Sequence, residues 1–314
     1  MKIIYGRGAD RIDLTPAVTE ITWSSSRGQI AQVCQAKIRN APPLGVAGYL
    51  MLFSKEQKVS DQFFHGPVVE WDRDEKTGEV SVTAYELSWY LQKNDVQRPY
   101  INGDVGKELG RVIKAAGISF ECPSFGCKLK ERMSTQSYTS LYTQLTEEAY
   151  DKTGIRYFVQ HERDKLKVLA EGNNPFVPVF KAATLEASNI GESIEELYTV
   201  VTVQRYKDDK LASSVSKENG AAVKKYGRMQ KIIEAGKDDN LPSIATSQLK
   251  KLSEVSRTRE ITVRFTDPSV AKLRAGWRLD ILERNGKQTQ WIVTSSSAQS
   301  KGMEYMMDLF LESR

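Results

Sequence analysis

The sequence predicts a β-rich α+β protein, with two β regions flanking a smaller mixed α/β segment. Three observations predict it. Apolar and polar residues alternate with period two in both the first and the last third of the 314 residues. Helical spacing is concentrated between them, with one further helical stretch near residue 250. Turn residues punctuate the β regions at short intervals, the pattern of a barrel or sandwich.

The elements follow in order. Val18 to Trp23 and Ile30 to Ile38 read as strands, the second with Ile30, Cys34, Ala36 and Ile38 on one face, and Ser24 to Gly28 as the loop between them. Ala47 to Phe53 is a third strand. Pro67 to Trp71 and Val80 to Tyr85 form a hairpin around Lys76, Thr77 and Gly78. Val105, Leu109, Val112, Ile113 and Ala116 have helical spacing and stop at Gly117. A second helix over about 136–152 buries Tyr138, Leu141, Tyr142, Leu145 and Ala149 and ends at Gly154. Ile155 to Gln160 and Leu166 to Ala170 make a hairpin. Leu197 to Tyr206 is a strand, capped by a charged turn at Lys207 to Asp209. The stretch 216–231 is polar. Pro242 opens a helix over 244–255. Strands then cover Ile261 to Phe265, Trp277 to Leu282, Thr289 to Thr294 and Tyr305 to Leu311. Asn285-Gly286 joins the second to the third, and Ala275-Gly276 is the turn into Trp277.

Composition bounds the function. With 40% hydrophobic and 27% charged residues the chain has the balance of a folded soluble protein, and its length fits two or three domains. The apolar run from Leu44 to Phe53 is too short to span a membrane. The N-terminus has no secretory pattern, so export by the standard secretory route is not expected. A net charge of +5 is far below that of a dedicated nucleic-acid binder. Three cysteines exclude a disulfide-rich scaffold: Cys34 reads as a small buried hydrophobe, and Cys122 and Cys127 as semi-buried thiols in a turn-rich loop.

No catalytic constellation emerges. His65 stands at a strand start and His161 in a predicted hairpin turn, neither beside a nucleophile motif. Asp72, Asp74, Glu75, Glu195, Glu196, Asp208 and Asp209 offer carboxylates for glycoside hydrolysis, but all fall where solvated charges sit. Gly6-x-Gly8 and Gly45-x-x-Gly48 are incomplete as phosphate loops, and no Walker-type loop is present. A metal site would need more ligands than two cysteines and two histidines supply at these spacings. No cofactor is implied, and a structural or interaction role fits better than an enzymatic one.

Several segments, taken in order, carry a resemblance. Thr83-Ala84-Tyr85-Glu86-Leu87 and Trp89-Tyr90-Leu91 close the first β region. Ser193-Ile194-Glu195-Glu196-Leu197, with Val201 and Val203, opens the second. Lys225-Tyr226-Gly227-Arg228-Met229-Gln230 and Leu273-Arg274-Ala275-Gly276-Trp277 follow. This order resembles bacteriophage tail hub proteins of the late-control-D type, found in contractile tails, PBSX-like defective prophages and phage-derived bacteriocins. Cys122 to Cys127 matches no motif of that family.

The resemblance implies a homotrimeric baseplate hub of a contractile injection system. Two β-barrel tube domains per chain give a pseudo-six-fold ring that joins a hexameric tail tube to a trimeric spike. Residues 1–100 would be the first tube domain and 101–179 a peripheral α/β domain. Residues 180–314 would be the second tube domain, with a polar and helical insertion near 210–255. Partners would be the tail tube protein, the spike or tail-tip protein, other baseplate proteins and the tape-measure protein. There would be no membrane contact, and DNA would be present only in transit through the lumen. The protein would reside in the virion or bacteriocin particle, assembled in the host cytoplasm. Tyr85, Leu87 and Tyr90 would anchor the end of the first barrel. Tyr226 and Gly227 would mark the return to the second, and Gly276 and Trp277 would form a tight turn and a core anchor. The alternative is a tail-associated peptidoglycan hydrolase or cell-wall-binding protein.

Overall fold

The structure, a computed structural model, describes residues 1–314 apart from 47, 163, 164, 209, 238, 302, 303 and 314, and apart from the side chains of residues 59 and 268. Ala47 of the third predicted strand and Asp209 of the predicted charged turn lie outside the described residues.

The first region supplies β1 (Lys2–Arg7), β2 (Asp10–Asp13), β3 (Val18–Ser26), β4 (Val33–Ile38), β5 (Tyr49–Phe53), β6 (Gln62–Arg73) and β7 (Val80–Tyr85). Alternation decides which face is buried. Ile21 and Trp23 of β3, Cys34, Ala36 and Ile38 of β4, and Val80, Val82 and Ala84 of β7 all turn into one core. β3 runs further than its apolar pattern. Ser24, Ser25 and Ser26, expected to be loop, pair with Ser297, Ser296 and Ser295, and the Ser25 and Ser296 hydroxyls meet at 2.9 Å. Serines opposite serines satisfy one another, which a hydrophobicity pattern does not register.

The middle segment contains α1 (Trp89–Gln92), β8 (Asp95–Val96), β9 (Tyr100–Asp104), α2 (Val105–Ala115), β10 (Phe120–Glu121), β11 (Lys128–Arg132), β12 (Gln136–Ser137), α3 (Tyr138–Thr153), β13 (Tyr157–Glu162) and β14 (Lys165–Ala170). Both predicted helices are present; α3 buries its whole predicted stripe, and α2 buries Val105, Leu109, Val112 and Ile113, while Ala116 is the exposed C-cap. Asp104 caps α2 by accepting from the Lys107 amide at 3.0 Å, and Ser137 caps α3 by accepting from the Ser140 amide at 3.1 Å. Gly154 ends α3 at φ +74°, where the left-handed backbone favours glycine. This segment has its own core, including Leu109, Ile113, Phe120, Leu141 and Leu145.

The last region begins with β15 (Val179–Lys181) and β16 (Ala187–Ser193). A small unit follows: β17 (Val200–Lys207), β18 (Lys210–Glu218), α4 (Gly220–Tyr226), β19 (Gln230–Glu234) and α5 (Leu241–Leu252). β17 lies between antiparallel β18 and parallel β19. Val201 and Val203 pack with Leu241, Ile244 and Ala245 of α5 in a separate small core. The polar stretch 216–231 is therefore a strand end, a helix and a strand start. Its sequence hides this because β18 is a mostly exposed edge with few apolar positions. The chain closes with β20 (Ser256–Arg264), β21 (Arg278–Leu282), β22 (Gln288–Lys301) and β23 (Glu304–Ser313).

The β-rich α+β class is as expected, and among the described residues the strands close no barrel. Strands of the two β regions form one 13-stranded sheet, whose main path is β16-β20-β23-β22-β3-β4-β7-β6-β5-β1-β2. The reason is β22, 14 residues long. On one side it pairs with β21 and then with β3, while β23 runs along the other. The apolar faces follow suit: Trp23, Leu50 and Phe64 share one cluster with Ile261, Trp277 and Leu309. Among the described residues no helix is long and apolar enough to cross a membrane.

Leu309→Ala removes a side chain from this shared core and is expected to cost about 2–5 kcal/mol. Urea titration should show Trp23 and Trp291 environments lost in one transition. Two separated transitions would contradict a common core.

Candidate functional site

The feature that gathers the most chemistry is a buried ionic junction. Glu86 follows β7, His161 lies in β13 and Arg274 precedes β21, so each comes from a different third of the chain. All three side chains are buried, Glu86 completely. Arg274 donates Nη1 to Glu86 Oε1 at 2.8 Å and Nη2 to Oε2 at 2.6 Å, a bidentate pair. His161 Nδ1 meets Glu86 Oε1, and the Gln32 amide lies 3.5 Å from Oε2. Burial alone would raise the Glu86 carboxyl, but the Arg274 guanidinium and the His161 ring outweigh it and hold the group far below its ordinary range. Close backbone approach makes the junction possible. A Cβ at Gly66 would fall 1.6 Å from the Tyr85 carbonyl oxygen, and the Leu87 amide donates to the His65 carbonyl at 3.1 Å.

A second clasp has the same design. Arg27, just beyond β3, donates to both carboxylate oxygens of Glu171 at 2.9 and 3.0 Å and pairs with Glu312 of β23. Burial disfavours the Arg27 charge, yet the two carboxylates raise its pKa above the ordinary value. Again one residue comes from each third of the chain.

The singled-out residues divide between two places. Tyr85 stacks on Trp89 with ring centroids 6.4 Å apart, and Tyr90 meets Trp89 edge-on at 5.3 Å. Burial, with Tyr49 beside it, pushes the Tyr90 hydroxyl up to about 12. Leu87 packs against the middle core. Gly276 has φ +88°, its amide donates to Val293 O at 2.8 Å, and its carbonyl accepts from Gly172 at the same distance. The Phe158 ring lies 2.4 Å from where a Cβ would sit. Trp277 is buried and donates Nε1 to Gln160 Oε1 at 3.1 Å. These five residues therefore flank the Glu86–Arg274 pair in sequence, and Gly276 and Trp277 pack the C-terminal region onto Phe158 and Gln160 of β13. Tyr226 and Gly227 lie elsewhere, in the small unit. The Thr199 hydroxyl donates to the Gly227 carbonyl at 2.9 Å, and Lys225 Nζ lies 4.9 Å from the Tyr226 ring centre.

Glu86, His161 and Arg274 themselves escaped the sequence reading. His161 was expected in a turn but lies within β13, opposite Leu166. The available signal was a charged residue embedded in each of two apolar motifs. Of the carboxylates considered for hydrolysis, Asp72, Asp74, Glu75, Glu195, Glu196 and Asp208 are exposed and spread over several segments, and Asp209 lies outside the described residues. Asp74 accepts from the Lys76 and Thr77 amides, an ordinary turn. The three cysteines are free; burial raises the Cys34 and Cys122 thiols and pushes Cys127 up to about 11, which leaves them unreactive at neutral pH. Among the described residues no three His, Cys, Asp or Glu side chains gather as metal ligands would.

A 13-stranded sheet with a helical segment clasped to it by one buried and one half-buried ionic cluster defines an architectural class. The YQBQ-like family model matches residues 21–312, and the chain belongs to that family. No curated protein matches it. Among solved structures it is similar in fold to the tail protein from Neisseria meningitidis MC58, with a TM-score of 0.70, 14% identity, and 99% of this chain and 96% of that one covered. It is similar also to the prophage MuSo2 43 kDa tail protein from Shewanella oneidensis, with a TM-score of 0.68, 10% identity, and 99% and 98% covered. Prophage tail protein gp18 from Listeria monocytogenes EGD-e gives 0.67, 12%, and 100% and 95%.

Two outcomes test the junction. Glu86→Gln leaves a buried guanidinium without its counter-charge and should cost about 3–5 kcal/mol, whereas Glu86→Leu with Arg274→Met should recover most of the loss. Because the folded Glu86 pKa is depressed, its contribution is present above the ordinary value of 4.5 and is lost as pH falls toward the folded value. Urea titrations between neutral pH and the acid limb should show that loss in the wild type and a shallower one in Glu86→Gln. Gly276→Ala should lower the thermal midpoint, since the left-handed backbone alone costs about 1–2 kcal/mol and Phe158 adds a clash.

Proposed function

We propose that this protein is a non-enzymatic structural component of a phage-type tail, the baseplate hub that joins the tail tube to the spike. The observation that carries the reading is likeness over nearly the whole of both chains to three tail proteins, together with a buried Glu86, His161 and Arg274 cluster that joins three segments of the chain. In this reading the protein is a homotrimer, and the two β regions of each chain supply two tube-like walls. Six such walls match a hexameric tube above, and three chains match a trimeric spike below. The free outer edges of β2 and β16, which end the path of the large sheet, suit pairing between neighbouring chains. Tape-measure and other baseplate proteins are the remaining partners, and DNA passes through the lumen without a dedicated site.

Light scattering over a concentration series, with negative-stain images, tests this. The expected result is a particle of three times 35.4 kDa with an axial hole, alone or after addition of tube protein. A chain that stays monomeric with tube and spike present, and clears peptidoglycan, would sink the proposal. Glu75→Gln, Glu195→Gln and Asp208→Asn should change neither assembly nor any wall-clearing activity.

A further inference from the structure

The chain's net charge is not spread over it. Residues 199–253 hold eleven Lys and Arg against six Asp and Glu, while the remaining residues hold 34 of each. The whole +5 therefore belongs to the small unit of β17, β18, α4, β19 and α5. Within that unit the charge is again lopsided. Val200 and Val201 open β17 opposite Glu218 and Lys217 at the end of β18 and opposite Gln230 and Lys231 at the start of β19. α4 begins directly after β18. The C-terminus of α5 returns to the same place: the Tyr198 amide donates to Leu252 O at 2.8 Å, and Asn219 Nδ2 donates to Ser253 Oγ at 3.1 Å. One end of the unit thus gathers Lys217, Lys224, Lys225, Arg228, Lys231 and Lys250, all exposed, with half-buried Lys251 behind them. Glu218 is the unit's own acid there, and it pairs with Arg228 at 3.3 Å.

We propose that this cationic end is a docking surface for an acidic segment of a partner protein, a step that rests on the structural reading above. Two features favour a protein over a nucleic acid. The rings of Tyr198 and Tyr226 each already carry a lysine over one face, Lys231 and Lys225 at 5.3 and 4.9 Å, which leaves less ring surface for base stacking. The cations are almost all lysines, flexible point charges that suit irregularly spaced carboxylates better than the planar fork of arginine does.

The test uses the full chain and two labelled probes, poly-L-glutamate and duplex DNA, by fluorescence anisotropy at about 0.15 M salt. Poly-L-glutamate should bind the wild type. Binding should weaken about ten-fold or more in K224E/K225E/K250E and by less than about two-fold in K55E/K76E/K114E, which reverses as many exposed lysines elsewhere. K224Q/K225Q should give a smaller loss in the same direction. Tighter binding of DNA than of poly-L-glutamate, equal losses in both triple variants, or no binding by the wild type would each overturn the proposal. Light scattering on the same samples keeps this outcome separate from the hub reading, because oligomeric mass should be unchanged in all variants.

Discussion

The pairing of Glu86 with Arg274 is the constraint on which the rest of the structure depends. A fully buried carboxylate is tolerated only where its charge is met, and here a guanidinium meets it through two hydrogen bonds while an imidazole closes the remaining side. The partners are 188 residues apart. Satisfying Glu86 therefore requires the first β region, the middle segment and the last β region to reach their final positions together. The Arg27, Glu171 and Glu312 clasp repeats that demand at a second point. Buried ion pairs contribute little net stability compared with apolar replacements, but a misplaced segment would leave a charge stranded. Their contribution here is registration of three segments.

Hydrophobic burial supplies the larger driving force and is arranged to agree with this. One core is shared by both β regions, one belongs to the middle segment, and a small one belongs to the β17–α5 unit. The unit meets the middle segment through polar contacts. Gln248 and Lys251 of α5 donate to carbonyls at the C-terminal end of α3, and Lys152 bridges to Asp239 at 3.1 Å. Burial and nearby Arg156 lower the Lys251 pKa to about 8. The donors fall where a helix leaves its last carbonyls unsatisfied.

Much of this was legible in the sequence where one element is decided by its own residues. The stripe of α3, the alternation of Cys34, Ala36 and Ile38 in β4 and the Asn285-Gly286 hairpin are local signals, and each appears as read; Ile30, read as part of the same strand face, precedes β4 and packs in the middle core. Elements decided by their neighbours were not legible. The serines of β3 are strand because serines of β22 face them. β16 is strand although all seven of its residues are exposed, because β20 pairs along its length. The junction failed for the same reason. Glu86 and Arg274 were quoted within their motifs, but a charge in an apolar setting does not name its partner, and His161 lay in a stretch read as a turn. Family likeness located the motifs, and only the tertiary structure joined them.

The length of β22 has a mechanical consequence. It is hydrogen-bonded to β3 of the first region over Ser295–Lys301 and to β21 of the last over Gln288–Ile292, with β23 alongside. Interstrand hydrogen bonds run perpendicular to the strands. A tension applied along β22 therefore loads its bonds in shear, many at once, rather than peeling them open one by one. The two β regions are coupled by a tie-rod, and a pull on either is shared by the other before any single contact gives way.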